Sequence, residues 1–583
     1  MNILGISCFY HDAAACLYRD GTIVAAAEEE RFSRRKHDAT MPVQAAAYCL
    51  AEGGISIDQI DYLVFYEKPL LKFGRMLTSA IETFPRGITQ FVAAMPPWLR
   101  EKLWVPALIR EKLGYRGEIL YSEHHLSHAA SAFLMSPYQE AAILTADGIG
   151  EWASTTIGHG EGTSIELVKE IRFPHSLGLL YSAFTAWLGF EINEGEYKVM
   201  GMAAYGKPTQ VDKVRQLIRQ ADDGGFALDT RYLAYQHSLH AWAPAFERLL
   251  GAPRTFDGDL DPRFVDVAAS IQFVTEESMV KLAEAAHRLT GSRNLCLAGG
   301  VGLNVLANRA ILRHTPFENL FVPPGAGDSG GAVGAAAYLY HTILGHARSE
   351  ILESAYLGPG YSDDEVQRFL VERGIAYERV DEAELIERVA DAIASDQVVG
   401  WFQGRMEFGP RALGARSILG NPRNAEMKTI INEKIKHREP FRPFAPSVAA
   451  EDANRFFEDV GPSPFMLLVA DVHESQRAFL PAITHADGTA RIQTVTERQN
   501  PRYYRLLRAV ERRNGAPVVI NTSFNVRGEP IVRTPADAYR CFSHTDMDLL
   551  TLGSFLVRAD AKRADDPYPG RKRVGTADTV WVS

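Results

Sequence analysis

The run Glu123-His-His-Leu-Ser-His128 sets two imidazoles four residues apart. Positions i and i+4 share one face of a helix, so His124 and His128 can ligate a single metal ion while His125 points elsewhere. His125 also stands where a metalloprotease HExxH motif carries its glutamate, which sets that reaction class aside. A polar helix start with surface histidines is the blander reading. Here the pair runs into Ala129, Ala130, Ser131 and Ala132, and a pair in that setting favours a metal. The remaining ligands are expected to be oxygens from turns, and Asp147 and Asp328 occupy the two best ones. Two imidazoles with carboxylates suit Fe(II), Mn(II) or Zn(II) more than magnesium.

A second chemistry is written in cations. Gly404-Arg-Met-Glu-Phe-Gly-Pro-Arg-Ala-Leu-Gly-Ala-Arg416 spaces Arg405, Arg411 and Arg416 with glycines. Three such arginines can converge on one anion, with bidentate contacts to phosphate oxygens. Lys436-His-Arg-Glu-Pro-Phe-Arg442-Pro-Phe adds cations on a proline-stiffened stretch, and Arg491 follows the turn at His485-Ala-Asp-Gly. Asn521-Thr-Ser523 offers short polar donors at the end of an apolar strand. Any one of these alone reads as surface; together, in an acidic protein, they predict an anion pocket. His11, in an early turn, is a candidate general base because imidazole titrates near neutrality; a hydrogen-bonded turn histidine is the alternative. The charged run Glu28-Glu-Glu-Arg-Phe-Ser-Arg-Arg-Lys36-His37 reads as a solvated face.

The elements that must position these residues are strand–turn units. Ile3 to Cys8, Ala13 to Leu17 and Thr22 to Ala27 read as strands, with Asp20-Gly21 as a hairpin turn. A helix follows, with Thr40 as its expected N-cap, Pro42 in its first turn and Gly53-Gly54 past its end. The pattern returns at Ala142 to Ala146, with Asp147-Gly-Ile-Gly as the turn and Ala153 to Ile157 as the next strand. Such a repeat suggests the duplicated α/β fold of actin-like ATPases. A helix is predicted over Asp266 to Leu289, closed by Gly291. The strands Asn294 to Ala298 and Asn319 to Val322 each run into a glycine turn, Gly299-Gly-Val-Gly-Leu-Asn304 and Gly325-Ala-Gly-Asp-Ser-Gly-Gly331. A helix follows each turn, a geometry that aims N–H groups and a helix dipole at phosphate. The turn-rich Tyr356-Leu-Gly-Pro-Gly-Tyr361 marks a domain boundary. From Lys562 onward the chain reads as a charged tail or a loosely held strand.

At 583 residues the chain exceeds one ordinary core, and its 46% hydrophobic and 23% charged residues are those of a soluble globular protein. A net charge of -10 argues against nucleic acid as a partner. The five cysteines (Cys8, Cys16, Cys49, Cys296, Cys541) form no CxxC pair, which excludes a zinc ribbon and fits a reducing cytoplasm. The N-terminus lacks the basic region of a signal peptide, and no apolar run approaches the ~18 residues of a membrane span. Residues 68–104, rich in Pro, Phe and Trp, can shape an acceptor pocket or an interface.

Taken together, the residues resemble the NodU/CmcH family of carbamoyltransferases over nearly the whole chain. The marks are the His-Asp turn at His11, Glu-Glu-Arg-Phe-Ser-Arg-Arg-Lys-His, His-His-Leu-Ser-His-Ala-Ala-Ser-Ala, Glu196-Tyr-Lys-Val-Met-Gly and Gly-Gly-Val-Gly-Leu-Asn. In the second half they are Gly-Pro-Arg-Ala-Leu-Gly-Ala-Arg-Ser, His-Arg-Glu-Pro-Phe-Arg-Pro-Phe-Ala-Pro and Asn-Thr-Ser-Phe-Asn. One departure is Gly after Val in Gly-Gly-Val-Gly-Leu-Asn, where related sequences often carry Ala.

The resemblance implies an actin-like (ASKHA, tRNA threonylcarbamoyltransferase-like) domain over 1–355 and a YrdC-like α/β domain over 356–583. It implies an ATP-dependent O-carbamoyltransferase, with carbamoyl phosphate and ATP giving carbamoyl-adenylate in the second domain. The carbamoyl group then passes to a hydroxyl of a small-molecule or sugar acceptor, of natural-product or nodulation-factor type, in the first. Fe(II), or another divalent transition metal, would be held by His124, His128, Asp147 and Asp328, and Mg2+ would accompany ATP. Lys36, Lys198, Gly201, Gly300 and Asn304 would meet the adenylate. His11 would be the base toward the acceptor, with Lys36 beside it in catalysis. Arg411, Lys436, Arg442, Arg491, Asn521 and Ser523 would hold carbamoyl phosphate. An actin-fold sugar kinase and an inactive scaffold are the alternatives. A kinase has no use for the arginine-rich half, and a scaffold has none for an intact ligand set. The acceptor is not legible in the sequence, and a homodimer is the expected assembly.

Overall fold

Asn2–Ser7 (NILGIS) is buried along almost its whole length, as suits a strand covered on both faces. In the computed structural model, which describes residues 1–255 and 261–562, it is the central strand of a sheet. This strand, β1, pairs antiparallel with β2 (Ala14–Arg19), and β2 pairs antiparallel with β3 (Thr22–Glu28). On its other edge β1 runs parallel to β4 (Tyr62–Phe65), followed in parallel by β5 (Glu118–Tyr121).

The same order and the same senses recur in a second sheet. There β6 (Glu140–Ala146) pairs antiparallel with β7 (Ala153–Glu161), and β7 with β8 (Ser164–Arg172). A small ribbon of β9 (Ile218–Gln220) and β10 (Phe226–Leu228) intervenes. The parallel neighbours of β6 are then β11 (Asn294–Ala298) and, beyond it, β12 (Asn319–Phe321). Orders β3-β2-β1-β4-β5 and β8-β7-β6-β11-β12 are therefore one topology used twice, the duplicated, actin-like plan.

The helix Ser329–Ala337 (SGGAVGAAA) shows why glycine is needed where backbones meet. A Cβ at Gly5 of β1 would lie 1.9 Å from the Ala332 carbonyl oxygen, and one at Gly334 would lie 1.8 Å from that of Ser127. The helix is thus in backbone contact with the first sheet and with the helix His124–Phe133. The long helix Pro262–Thr290 starts on an Asp261 cap and stops at Gly291 in the left-handed conformation (φ 68°).

The described residues divide into two compact units, Met1–Glu29 with His37–Leu352, and Glu30–Lys36 with residues 353–562. The second unit is built on a nine-stranded mixed sheet of order β13-β21-β20-β14-β15-β19-β16-β18-β17. Its strands are β13 (Glu378–Arg379), β14 (Val399–Phe402), β15 (Arg416–Gly420), β16 (Ala445–Ala449) and β17 (Leu468–Asp471). The rest are β18 (Thr489–Val495), β19 (Val518–Ser523), β20 (Leu549–Leu552) and β21 (Phe555–Arg558). Side chains alternate between two cores. Val399, Trp401, Leu419 and Val519 join one, while Phe402, Ile418, Val518 and Ile520 join the other.

Two expectations need correction. Thr40 does not cap the helix Val43–Glu52; its hydroxyl donates to Asp38 Oδ1 (2.8 Å). The Glu29 carboxylate instead accepts from the orphan N–H groups of Gln44 (3.3 Å) and Ala45 (2.8 Å) at the helix start. The charged run is not a solvated face, since Glu28, Glu29, Glu30 and Arg31 are all buried. Its middle, Glu30–Lys36, belongs to the second unit: Arg31 donates to the Gly409 carbonyl (2.8 Å), and Arg34 to those of Ile531 (2.6 Å) and Pro530 (2.9 Å). The expected tail beyond Lys562 lies outside the described residues. All five cysteines are free and buried. Among the described residues no helix is long and apolar enough to cross a membrane.

Candidate active site

The helix His124–Phe133 begins where the Glu151 carboxylate accepts from the His124 N–H (3.1 Å). As the four-residue spacing requires, His124 and His128 share a face, their Nε2 atoms 3.1 Å apart. Asp147 leaves the end of β6 and brings Oδ2 to 2.9 Å from His124 Nε2 and 3.3 Å from His128 Nε2. Asp328, at the start of the small-residue helix, brings Oδ1 to 3.7 and 3.6 Å from the same two nitrogens. All four residues are buried, and each offers a ligand atom within 4.8 Å of the others. His125 turns away to Thr145 Oγ1 (2.6 Å) and the Ala153 carbonyl (2.9 Å). Burial and its two histidine neighbours push its pKa down to about 3.

This donor set fits a transition-metal cation. Both Asp328 carboxylate oxygens are buried without a hydrogen-bond partner, an anion that a cation would compensate. Burial disfavours the imidazolium forms of His124 and His128, yet the surrounding carboxylates outweigh it and hold both pKa values above the ordinary histidine value. The cluster therefore retains positive charge in the form of protons, which a divalent ion can replace.

Around this centre stand the expected His11 and a carboxylate that spacing did not disclose. Glu67, at the end of β4, is buried with Oε2 3.6 Å from His124 Nδ1 and 3.0 Å from Lys72 Nζ. It faces the far side of the imidazole as a nearby charge, beyond hydrogen-bond distance, in the place where carboxylates stand behind metal-binding histidines. His11 lies in the β1–β2 turn with Nδ1 2.8 Å from Asp12 Oδ2, and Asp12 Oδ1 is 2.7 Å from His37 Nδ1. Burial opposes a charged His11, but Asp12, with Asp328 and Asp147 beyond it, raises its pKa to about 10. Asp12 and His37 both adopt positive φ (52° and 53°), a left-handed backbone that the hydrogen bond between them helps to hold.

Of the expected nucleotide residues, Lys198, Gly201 and Asn304 sit on or cap helices packed against the long helix Pro262–Thr290, whereas Lys36 belongs to the second unit. The Gly300 N–H donates to Asp147 Oδ1 (3.0 Å), which ties the glycine turn to the His124–His128–Asp147–Asp328 cluster. Gly299 has φ 91°, and a Cβ there would lie 2.2 Å from the Ala146 carbonyl oxygen. Asn304 caps the helix Val305–His314 through Ala307 N–H (3.1 Å) and pairs amide to amide with Gln272 (3.0 Å each way). Lys198 and Gly201 lie on the helix Glu196–Ala203, with Lys198 Nζ 5.5 Å from the centre of the Phe190 ring.

In the second unit the cations gather, though not as the triple-arginine reading had it. Arg416 is fully buried, stacked 3.7 Å over Phe402, and donates to the Gln403, Ala415, Pro359 and Gly404 carbonyls. Arg405 donates to the carbonyls of Leu357 (2.7 Å) and Gly358 (3.1 Å). Both guanidinium groups clamp backbone; of the three arginines, Arg411 is the one whose charge acts on Arg491. Burial and the charges of Arg411, Arg438 and Arg442 lower the Arg491 pKa, and its Nε is buried without a partner. Lys436 is buried and held well below the ordinary lysine value, with Arg438, Arg442 and Lys36 among its cationic neighbours. Its ammonium donates to Ser523 and to Asn525 Oδ1 (2.8 Å). Asn521 donates to Ser447 Oγ and Gln493 Oε1 (3.0 Å each), leaving its buried Oδ1 without a partner.

The sequence matches the family described as Carbamoyltransferase N-terminus over residues 2–337 and Carbamoyltransferase C-terminus over residues 390–559. The chain belongs to the carbamoyltransferase family. Nodulation protein NolNO of Sinorhizobium fredii is 39% identical over 570 residues, covering 96% of this chain and 80% of its own. A Synechocystis protein named "Uncharacterized protein sll1178" is 48% identical over 597 residues, covering 96% and 97%. Among solved structures, HypF of T. kodakarensis is 15% identical with a TM-score of 0.30, covering 59% of this chain and 48% of its own. That likeness is too low to carry an argument. The protein is a carbamoyl-transferring enzyme.

One further residue of this carbamoyltransferase escaped the sequence reading, and another, read only as part of the cationic run from Lys436 to Arg442, joins the site. Arg438 adds a fourth arginine to the cation group. Glu407 Oε1 accepts from the N–H groups of Leu413 (2.7 Å), Ala415 (2.8 Å) and Arg416 (3.1 Å), and so shapes the loop that carries Arg411. Nothing in the local pattern marks Glu407, because its partners are backbone.

Proposed function

We propose that this carbamoyltransferase makes carbamoyl-adenylate from carbamoyl phosphate and ATP in its second unit. In its first unit it then moves the carbamoyl group to a hydroxyl of a small-molecule or sugar acceptor. The observation that carries this reading is the partly buried gathering of Arg411, Arg438, Arg442 and Arg491 beside Lys436. Like charges withdrawn from water repel one another, and an anionic substrate relieves that repulsion. Arg fits the planar, bidentate recognition of phosphate oxygens that carbamoyl phosphate and ATP both require. Mg2+ would accompany the triphosphate.

The chemistry balances as follows. Carbamoyl phosphate gives up inorganic phosphate as water supplies the carbamate oxygen. That oxygen bonds the α-phosphorus of ATP, and pyrophosphate leaves. The acceptor oxygen then bonds the carbamoyl carbon, its proton is taken up, and AMP leaves. Formation and use of the mixed anhydride within one chain limits its loss to water.

In the first unit, His124, His128, Asp147 and Asp328 would hold Fe(II) or another divalent transition metal, which when bound polarises a carbonyl as a Lewis acid and offsets the charge of the two carboxylates. Asp12 fixes the His11 ring through Nδ1; His11 stays charged while Asp328 and Asp147 are uncompensated, and a cation held by those carboxylates would lower its pKa and free Nε2 to receive the acceptor proton. Gly300, through its N–H on Asp147, fixes that carboxylate. Relatives are named nodulation proteins, so nodulation-factor-type sugars are the first acceptors to try. Incubation of purified protein with ATP, carbamoyl phosphate and Fe(II) tests the reading. It predicts AMP, pyrophosphate and phosphate as products; ADP in their place would overturn it.

A further inference from the structure

Half of the sixteen large apolar side chains exposed on the described residues lie between positions 70 and 104. They are Leu70, Leu71, Ile81, Phe84, Ile88, Val92, Leu99 and Trp104, from 47% to 77% exposed. The hairpin formed by the helices Pro69–Glu82 and Ile88–Arg100 carries most of them. Its first helix is inverted relative to an ordinary surface helix: Lys72 and Arg75 are buried while Leu70, Leu71 and Ile81 face solvent. The inward cations are accounted for, since Lys72 pairs with buried Glu67 behind the metal cluster (3.0 Å) and Arg75 stacks over Phe173 (5.3 Å). The outward leucines are not. In the second helix Ala94 and Trp98 are buried, and Ile88, Val92 and Leu99 follow at intervals of four and seven on an exposed stripe. Exposed apolar side chains gathered on one hairpin in this way mark an interaction surface.

The charge around the patch is opposite to that of the protein. On the exposed surface of residues 67–116 five Lys and Arg face three Glu (Glu82, Glu101 and Glu111), a positive excess in a chain whose net charge is -10. Among the cations, Arg86, Arg100, Arg110, Lys112 and Arg116 are exposed. We propose that this hairpin docks the enzyme peripherally on an anionic lipid surface. The apolar stripe enters the headgroup boundary and the flanking arginines and lysines meet the lipid phosphates. Trp104, at the edge of the patch with its Nε1–H donated to the Leu99 carbonyl (2.7 Å), is placed as an interfacial anchor. A second copy of the chain is the weaker occupant. A two-fold pairing would set this cationic face against the same cationic face.

The test is co-sedimentation of the full-length protein with vesicles of phosphatidylcholine alone and of phosphatidylcholine mixed with phosphatidylglycerol. The proposal predicts at least about tenfold stronger partition onto the anionic vesicles, weakening as salt is raised. Val92→Asp with Leu99→Asp should abolish it, and Arg86→Glu with Arg100→Glu should reduce it about tenfold or more. Carbamoyl transfer in solution should be unchanged in both double variants. Equal partition onto neutral and anionic vesicles, or partition unchanged in the Val92→Asp/Leu99→Asp variant, overturns the proposal. So does light scattering that shows a dimer split by the same pair of changes, which would assign the face to a second copy. The salt dependence of the unaltered protein stands as a test even where a variant fails to fold.

Discussion

Alanine at Gly334 should disable the metal cluster without altering any of its ligands. A Cβ at this position lies 1.8 Å from the Ser127 carbonyl oxygen, whereas non-bonded heavy atoms settle at about 3.5 Å. The helices Ser329–Ala337 and His124–Phe133 must then part by roughly 1.5 Å. Asp328 stands at the head of one helix and His124 and His128 on the other, now 3.7 and 3.6 Å from it. Ligand distances tolerate only about 0.2 Å, so a rigid shift of this size removes Asp328 from the set. The expected loss of metal affinity, read by competition with a chelator, is about 10–100-fold. Unfolding in denaturant should show a loss of about 1–3 kcal/mol. Gly327→Ala is the control, because a Cβ there meets nothing within 4 Å, and its metal affinity should match that of the parent. A folded Gly334→Ala protein that binds metal with parent affinity, or a Gly327→Ala protein equally impaired, would refute the reasoning.

Glu407→Ala should destabilise the protein by about 3 kcal/mol, because three buried N–H groups lose a charged acceptor; a denaturation shift under about 0.5 kcal/mol would contradict this. Arg491→Met should leave the substrate-free protein as stable as before or more so, by about 1 kcal/mol, while ending ATP consumption, since it removes a buried cation from among like charges. A marked fall in melting temperature would count against the anion-site reading. His485 is pushed down to about 4, chiefly by burial, so the folded state keeps it neutral while the unfolded chain takes up a proton below about 6.5. Its contribution is present above that pH and is lost as pH falls toward 4, by about 2 kcal/mol at pH 5. Urea melts at pH 7 and pH 5 should show His485→Gln losing less stability than the parent; equal losses would sink the assignment.

Where chemistry depends on local spacing, the sequence was informative. His124 and His128 meet because a helix turns every 3.6 residues, and Asp147 is placed by the end of a buried strand. The repeated strand–turn–strand pattern of β1–β2 and β6–β7 is the visible part of the doubled sheet; the parallel partners β4, β5, β11 and β12 arrive from far along the chain. Long-range partners were illegible for the same reason. Glu29 caps a helix that Thr40 was expected to cap, and Arg405 and Arg416 spend their donors on carbonyls although their spacing matches that of Arg411. The run Glu30–Lys36 looks like a solvated face until its partners in the second unit are known. Glu67 and Asp12 act through His124 and His11, and no interval in the sequence links either pair to a common centre.

The most direct test of the account is a comparison of Arg411→Ala and His124→Ala in one assay that follows pyrophosphate and carbamoylated product separately. Two separate sites predict that Arg411→Ala stops pyrophosphate release and transfer together. His124→Ala should release pyrophosphate near the parent rate and carbamoylate no acceptor. Loss of pyrophosphate in both variants, or full transfer by His124→Ala, would contradict the division of labour between the cation group and the histidine cluster.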